Sequence, residues 1–248
     1  MIFCIDSGNS RIKWALHDEH GWCESGVLDH ADVGQLASLS HRLPMPARVM
    51  LANVAGDAAL AGIRQALSAW LSVLHEVKSA AAAGGVVNLY ENPARLGVDR
   101  WCALVGARSL TSGPCIAVMA GTATTVDTID GDGRFLGGLI LPGLDLMRRS
   151  LAQDTAALPL AAGKYSVHPR CTDDAITSGC IEAQVGAIVR AVARLGNGPT
   201  CLLSGGAAGV IGEHLGVPHR QVANLVLEGL LQLAEASAAV HAAGKNSG

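Results

Sequence analysis

Aromatic residues are scarce in this chain of 248 residues: they make up only 3% of it, although half of all residues are hydrophobic. Smaller residues, chiefly alanine, valine, leucine and glycine, supply most of the apolar content, which favours helices packed on a sheet over an aromatic-rich β-sandwich. The formal net charge is −3, so no overall basic field exists that would attract nucleic acid or an anionic membrane surface. We therefore expect an α/β protein that binds neither nucleic acid nor a membrane.

The cysteine pattern indicates in which cellular compartment the protein is expected. The seven cysteines include no C-x-x-C pair, and several lie within apolar stretches, where cysteine behaves as a small hydrophobic residue. Neither a disulfide framework nor a cysteine-bound metal is therefore expected. The N-terminal stretch lacks the pattern of a secretion signal, and the apolar runs are much shorter than the ~20 residues that span a bilayer. We expect a protein of the reducing cytoplasm.

Common nucleotide- and metal-binding signatures are missing as well. The chain contains neither G-x-x-x-x-G-K-[ST] nor G-x-G-x-x-G after a strand, and its nine histidines form no H-E-x-x-H motif or Cys/His cluster. A phosphate-binding site in this chain must therefore use a different kind of loop.

Hydrophobic periodicity predicts alternating strands and helices. The predicted strands are 2–6, 12–17, 26–29, 47–54 and 73–78, then 115–122, 124–130, 134–143 and 200–209, the last ending in a glycine turn. The predicted helices are 33–43, 58–71, one from about residue 99, 144–157, 173–195 and 224–243. Residues 80–97 are expected to form a loop, and residues 244–248 a frayed tail.

The pattern begins again halfway along the chain. When Gly8 is set against Gly121, residues 3–22 align with residues 116–135. Both segments contain an apolar strand, a glycine turn with small polar neighbours, a second strand, and an acidic glycine hairpin that precedes an aromatic residue. This register predicts a duplication. We expect two similar α/β lobes, residues 1–112 and 113–248, that face each other across a cleft.

The two aligned glycine turns are candidates for phosphate binding, because a turn of glycine and small residues presents backbone N–H groups without obstruction. Asp6 ends an apolar strand beside the first turn, where a carboxylate is costly unless it is paired; Mg²⁺ beside a triphosphate would be such a partner. Lys13, on the next strand, could return to the same phosphates. The alternative is that Asp6 only caps the turn.

A second candidate lies at the start of a predicted helix, in Gly97-Val98-Asp99-Arg100. Glycine there lets a substrate approach, and a carboxylate is favoured at the helix N-terminus. The alternative is an ordinary capping aspartate with an exposed Arg100, which a lone Asp-Arg pair favours.

These motifs together resemble one family. DSGNSRIK (residues 6–13) resembles the D-x-G-N-[TS]-x-x-K opening of type III pantothenate kinases, LGVDRW (96–101) their G-x-D-R motif, and GTATTVD (121–127) their second phosphate motif. GGLILPG, CTDDAITSG and SGGAAG follow in the family's order. The family belongs to the acetate and sugar kinase, Hsp70 and actin superfamily, so the resemblance implies a duplicated ribonuclease-H-like (actin-like ATPase) fold.

The resemblance also implies an activity: ATP-dependent phosphorylation of pantothenate to 4′-phosphopantothenate, the first step of coenzyme A biosynthesis, by a homodimer. The implied first phosphate loop is Asp6, Ser7, Gly8, Asn9, Ser10, Arg11, Ile12 and Lys13, with Mg²⁺ near Asp6. The implied pantothenate residues are Tyr90, Gly97, Val98, Asp99, Arg100 and Thr172, with Asp99 as the base. Gly121 and Thr122 would contact the ATP phosphates, and Ser204, Gly205 and Gly206 would lie near adenosine.

One position departs from the family pattern. Family members often have an aspartate two residues before the second turn, associated with a bound monovalent cation, K⁺ or NH₄⁺; this chain has Met119. A thioether is a poor ligand for a hard cation, so we expect a weaker or altered K⁺ requirement. Asp127, on the following strand, is either a polar anchor or a structural aspartate.

Two other functions stay open at this point. Some members of the family are called Bvg accessory factors and are associated with transcriptional control, which gives a non-catalytic or regulatory alternative. The near-neutral charge argues against direct DNA binding, and Asp6, Lys13, Asp99, Arg100 and Thr122 together argue for an intact active site. A sugar or acetate kinase of the same superfamily would leave the Gly97–Arg100 motif unexplained.

Overall fold

The computed structural model describes residues 1–160, 162–196 and 198–245. In chain order the strands are β1 (Ile2–Ser7), β2 (Ile12–Asp18), β3 (Gly21–Leu28), β4 (Arg48–Asn53), β5 (Leu74–Glu76), β6 (Ala82–Ala83), β7 (Val86–Asn88), β8 (Cys115–Ala120), β9 (Ala123–Ile129), β10 (Arg134–Pro142), β11 (Thr200–Ser204) and β12 (His219–Gln221). The α-helices are α1 (Gln35–Arg42), α2 (Asp57–Ala66), α3 (Val98–Leu110), α4 (Leu144–Asp154), α5 (Thr172–Leu195), α6 (Ala208–His214) and α7 (Leu225–Lys245). Short 3₁₀ helices cover His30–Asp32, Ser68–Val73 and Pro93–Arg95.

The chain divides into two compact units. The first comprises Met1–Leu110 together with α7, and the second is Thr111–Asn224. The first break lies two residues before the predicted boundary at 112. The second lobe was predicted to run to residue 248, whereas in the structure the chain returns to the first unit at Leu225.

In the first unit, five strands form a sheet in the order β3-β2-β1-β4-β5. The strands β1, β2 and β3 are antiparallel neighbours, while β4 runs parallel to β1, and β5 parallel to β4. The helices α1 and α2 follow β3 and β4 in the chain, as crossover connections to parallel strands require.

In the second unit the same arrangement recurs. The strands β8, β9 and β10 form an antiparallel meander, and β11 and β12 continue the sheet in parallel on the other side of β8. The order β12-β11-β8-β9-β10 is therefore that of the first sheet, strand for strand. The duplication predicted from the alignment of Gly8 with Gly121 is confirmed, and both units have the ribonuclease-H-like topology.

Each unit has its own hydrophobic core. In the first, Phe3, Trp14 and Trp70 pack together, with the ring of Phe3 5.6 Å from that of Trp14 and 5.5 Å from that of Trp70. Both tryptophans are buried. In the second unit, apolar residues of β8, α5, β11 and α6 form the core.

The return of α7 to the first unit depends on two glycines. A Cβ atom on Gly106 of α3 would overlap the carbonyl oxygen of Leu225, and one on Gly229 of α7 would overlap that of Cys102. The two helices therefore cross at backbone contact, and Leu225 and Leu230 are fully buried. Close packing of this kind joins residues that are distant in sequence, so local patterns do not predict it.

Other differences from the predicted elements are small. The helix predicted at 58–71 ends at Ala66 and gives way to the 3₁₀ helix Ser68–Val73. The predicted loop 80–97 contains the β6–β7 hairpin, and the short elements α6 and β12 were not predicted. Of the predicted tail, Gly244 and Lys245 belong to α7, and residues 246–248 lie outside the described residues.

One helix within the described ranges, α5, is long and apolar enough to cross a membrane, with a mean hydropathy of 1.2. Half of this stretch is buried inside the structure, and Ile176, Ile181 and Ile188 belong to the core of the second unit. These features are typical of the core helix of a globular domain.

Candidate active site

The first glycine turn connects β1 to β2 in the first unit. Asp6 and Lys13 lie directly opposite each other in the antiparallel register, and Ser7 and Ile12 form the last pair before the turn. The N–H of Gly8 donates to the carbonyl of Arg11 over 3.1 Å. The predicted loop from Asp6 to Lys13 is thus one hairpin, which places the carboxylate of Asp6 and the ammonium group of Lys13 on neighbouring strands at the same level.

The strand end and the tip of this hairpin differ in solvent exposure. Asp6 is only 6% exposed, as expected for a residue at the end of an apolar strand, whereas Asn9, Ser10 and Arg11 are exposed. The hydroxyl of Ser7 is buried without a hydrogen-bond partner among the described residues. The turn therefore presents an open tip above a buried carboxylate.

Asp99 lies in the first turn of α3, in the same unit. Its Oδ1 accepts a hydrogen bond from the backbone N–H of Arg100 over 2.8 Å, and the side chain is partly exposed. Within the described ranges its Oδ2 makes no hydrogen bond. This carboxylate has one fixed oxygen and one that can accept a proton.

Arg100 is the neighbour of Asp99 and is 5% exposed, so the exposed arginine expected under the capping alternative is wrong. Its Nη1 donates to the hydroxyl of Tyr90 over 2.7 Å, and its guanidinium carbon lies 5.6 Å from the centre of the Tyr90 ring. A tyrosine at this distance also stabilises the cation through its π face. The structure thus brings together two of the predicted substrate residues, ten positions apart in sequence.

The predictions omitted Asn88, which holds the segment that carries Tyr90. Its Nδ2 donates to the carbonyls of Ala80 and Pro93, each over 3.2 Å, and its Oδ1 accepts from the N–H of Tyr90 over 3.1 Å. The side chain is buried, and an asparagine that satisfies three backbone groups fixes a loop firmly. The only signal in the sequence was an asparagine within a segment rich in glycine, asparagine and proline.

The pKa of the Cys102 thiol depends on its burial and on nearby carboxylates. Burial raises its pKa well above the usual value, and the negative charges of Asp6 and Asp99 raise it further. Cys102 lies one turn after Asp99 on α3. Asp6, predicted near Mg²⁺, and Asp99, predicted as the base, therefore both act on this thiol within the first unit.

The second glycine turn connects β8 to β9 in the second unit. The N–H of Gly121 donates to the carbonyl of Ala123 over 3.0 Å, and Thr122 is exposed. The N–H of Gly143 donates to the carbonyl of Thr122 over 2.9 Å, and a Cβ atom on Gly143 would overlap the carbonyl oxygen of Gly121. This turn is held by backbone groups that approach it closely.

The predicted adenosine residues lie beside the second turn. Gly205 has a φ of +102°, and a Cβ atom on it would overlap the carbonyl oxygen of Ala120, which also accepts a hydrogen bond from Ala207 over 3.1 Å. Ser204 ends β11 and is the register partner of Met119 on β8. The segment from Ser204 to Gly206 therefore packs against the end of β8, next to Gly121.

Met119 stands between residues that carry hydroxyl groups. Its register partners are Thr125 on β9 and Ser204 on β11, and the Thr125 hydroxyl is buried without a hydrogen-bond partner among the described residues. Asp127 is buried further along β9, opposite Ala117. In the part of the chain that the structure describes, no three His, Cys, Asp or Glu side chains are grouped closely enough to hold a metal.

Thr172 begins α5 in the second unit, whereas the other predicted pantothenate residues lie in the first. It lines a cavity of about 580 Å³ whose walls are mainly apolar and include Met147, Leu151 and Ile176. Neither unit alone contains all the residues predicted to bind pantothenate.

The chain is similar in sequence to proteins of one named family. A family model described as type III pantothenate kinase matches residues 2–194. A protein named type III pantothenate kinase from Dechloromonas aromatica (strain RCB) is 57% identical over 235 residues, which cover 94% of this chain and 99% of that protein. Another of that name, from Aromatoleum aromaticum (strain DSM 19018 / LMG 30748 / EbN1), is 49% identical over 241 residues, covering 96% and 100%.

Solved structures share the fold at low sequence identity. A protein described as a Baf family transcriptional activator from Campylobacter jejuni superposes with a TM-score of 0.65 at 18% identity, covering 95% of this chain and 98% of that one. An activator of 2-hydroxyisocaproyl-CoA dehydratase from Clostridium difficile, with bound ADPNP, gives 0.56 at 12% identity, covering 99% and 97%. At such identities these likenesses establish the fold alone.

Proposed function

The chain belongs to the type III pantothenate kinase family, and from this membership we propose that it transfers the γ-phosphoryl group of ATP to the hydroxyl group of pantothenate, giving 4′-phosphopantothenate for coenzyme A biosynthesis. The observation that carries the proposal is the buried Arg100, bonded to Tyr90 and adjacent to the partly exposed Asp99. A forked cation beside a carboxylate suits a substrate that has both a carboxylate and a reacting hydroxyl group.

The residues of the first unit would share the chemistry. Arg100 would bind the pantothenate carboxylate, and Tyr90 keeps the guanidinium in place. The substrate hydroxyl oxygen forms a bond to the γ-phosphorus, the bond from that phosphorus to the bridging oxygen of ADP breaks, and the hydroxyl proton passes to Oδ2 of Asp99. The N-terminal turn of α3 favours the negative charge that Asp99 needs for this step.

The charges of ATP would be balanced by the first hairpin. Lys13 lies opposite Asp6 and provides a point charge for the phosphates. The donor set fits Mg²⁺, because an ion that arrives with ATP uses one or two protein carboxylates plus phosphate oxygens, and Asp6 provides a carboxylate. When bound, Mg²⁺ neutralises charge on the transferred group.

In the second unit, the N–H groups around Gly121 and Thr122 would contact phosphate oxygens of ATP, and the segment Ser204–Gly206 would contact adenosine. The support for this assignment is the adjacency of the two segments at the end of β8, together with the backbone approach that Gly205 permits. The K⁺ requirement would be weak or altered, because Met119 places a thioether, a poor ligand for a hard cation, between Thr125 and Ser204.

We propose the cytoplasm as the compartment and a homodimer as the assembly. All seven cysteines are free thiols, as a reducing compartment requires. The homodimer rests on family membership.

The test is direct formation of product. Purified protein is incubated with ATP, Mg²⁺ and pantothenate, and mass spectrometry follows the addition of one phosphate to pantothenate; acetate and hexoses serve as alternative acceptors. We expect phosphorylation of pantothenate alone. No product from any acceptor would favour the regulatory alternative, and product from a sugar or acetate would reassign the substrate.

A further inference from the structure

A histidine far from the phosphate motif in sequence contacts the first glycine turn. Nε2 of His30, in the 3₁₀ helix that follows β3, lies 2.8 Å from the carbonyl oxygen of Gly8. Its neighbour Asp29 lies 3.7 Å from Arg11, at the other end of the same turn. We propose that His30 is a positioning residue for ATP, which holds the Gly8–Asn9 peptide so that its N–H faces a phosphate oxygen. This inference rests on the proposed kinase activity.

The turn needs such a restraint because of Gly8. A Cβ atom there would lie 3.5 Å from the carbonyl oxygen of Arg11, an ordinary contact, and the φ of Gly8 is not positive. Neither packing nor backbone conformation within the chain therefore requires glycine at this position. A glycine then serves an approaching ligand, and its own peptide planes rotate easily unless hydrogen bonds hold them.

Both peptide planes at Gly8 are held. On one side its N–H donates to the carbonyl of Arg11, and on the other its carbonyl oxygen accepts from His30. In a trans peptide the C=O and the following N–H point in opposite directions. Fixing the Gly8 carbonyl towards His30 therefore directs the N–H of Asn9 away from it.

The backbone N–H of Asn9 is available to bind a ligand. Asn9 is exposed, and within the described residues its N–H has no hydrogen-bond partner. Preorganised backbone N–H groups in a turn are the usual donors to phosphate oxygens, and holding them in place avoids the cost of ordering them when the ligand binds. The exposed Arg11–Asp29 pair contributes little by itself, so His30 is the group that matters.

The contact sets a chemical requirement on His30. Because a carbonyl oxygen only accepts, Nε2 must carry a hydrogen, and both the neutral Nε2–H tautomer and the imidazolium satisfy this. Glutamine places an amide nitrogen at the same number of bonds from Cβ and donates in the same way. Leucine occupies a similar volume but has no donor.

The experiment compares His30→Leu and His30→Gln with the unaltered protein, with His41→Leu as a matched control. His41 is exposed on α1 of the same unit. Equilibrium ATP binding without pantothenate, KM for each substrate, kcat and Tm are measured. We expect His30→Leu to weaken ATP binding about three- to tenfold, the range for loss of one hydrogen bond, while KM for pantothenate stays unchanged. His30→Gln should recover most of the affinity, and His41→Leu should match the unaltered protein.

Three outcomes would overturn the inference: unchanged ATP affinity in His30→Leu, an equal rise of both KM values, or an affinity loss in His30→Gln as large as in His30→Leu. The equal rise would indicate a structural role. If the unaltered protein forms no phosphopantothenate, the kinase proposal fails, yet ATP binding by the three variants still decides whether His30 positions the turn.

Discussion

Both glycine turns are closed by a backbone hydrogen bond, but the first is held from outside by a side chain and the second by backbone groups. At Gly8 the carbonyl accepts from the His30 imidazole, while at Thr122 the carbonyl accepts from the N–H of Gly143. A Cβ atom fits at Gly8 and at its counterpart Gly121, but would overlap neighbouring backbone at Gly143 and at Gly205, which pack against the second turn. The two turns therefore both leave room at their own glycine, and they differ in that the second is enclosed by glycines of neighbouring segments.

The two turns also differ in charge. The strand before the first turn ends with Asp6 opposite Lys13, and the strand before the second has Met119 opposite Thr125. The strand order is the same in the two units, but the charged pair is present only beside the first turn. Under the proposed function, the first turn balances the charge of the phosphates, and the second provides a rigid support for nucleotide.

The largest expected effect comes from a change in the segment that packs against the second turn. Gly205→Ala adds a Cβ that overlaps the Ala120 carbonyl at a φ of +102°, so we expect a loss of about 3 kcal/mol in the free energy of unfolding. Urea denaturation of the variant measures it. The control is Gly186→Ala in α5, where no atom lies within 4 Å of the new Cβ and helix propensity favours alanine. Equal stability of the two variants would contradict the account.

The matching change in the first turn should separate binding from stability. Gly8→Ala makes only an ordinary contact with Arg11, so the free energy of unfolding should change by no more than about 0.5 kcal/mol. Because the new methyl group would occupy the space proposed for a phosphate, ATP affinity should fall about tenfold or more, which corresponds to at least ~1.4 kcal/mol. Titration calorimetry and urea denaturation of one preparation test both halves. Loss of stability with unchanged affinity would reverse the comparison.

The smallest effect concerns the missing charge of the second turn. With Met119 in place, we expect turnover in K⁺, NH₄⁺ and Na⁺ to agree within about threefold, because a thioether does not select a hard cation. Met119→Asp should introduce a preference among these ions. Rates at fixed ionic strength provide the measurement. Strong K⁺ activation of the unaltered protein, abolished in Asp127→Asn, would show instead that the cation site has moved to another carboxylate.

Local features of the fold and site could be predicted from the sequence. The glycine turns, their flanking strands and the Gly97–Arg100 motif each depend on residues close together in the chain, and the duplication followed from their common register. The His30 and Asn88 contacts could not be predicted, because each joins a side chain to backbone carbonyls of other segments without a motif. The destination of α7 depends on the Gly106–Gly229 crossing, which is equally non-local. The strand β12 is short and exposed, so it has no hydrophobic pattern.

We propose that Asp99 accepts the hydroxyl proton of pantothenate during phosphoryl transfer, and the substitution Asp99→Asn removes this ability. Asparagine keeps the size of the side chain and the bond from the Arg100 N–H but cannot accept the proton. Single-turnover formation of phosphopantothenate is measured alongside equilibrium ATP binding. We predict that turnover falls about 10²- to 10⁴-fold while ATP binding persists. Undiminished turnover in Asp99→Asn would contradict the account.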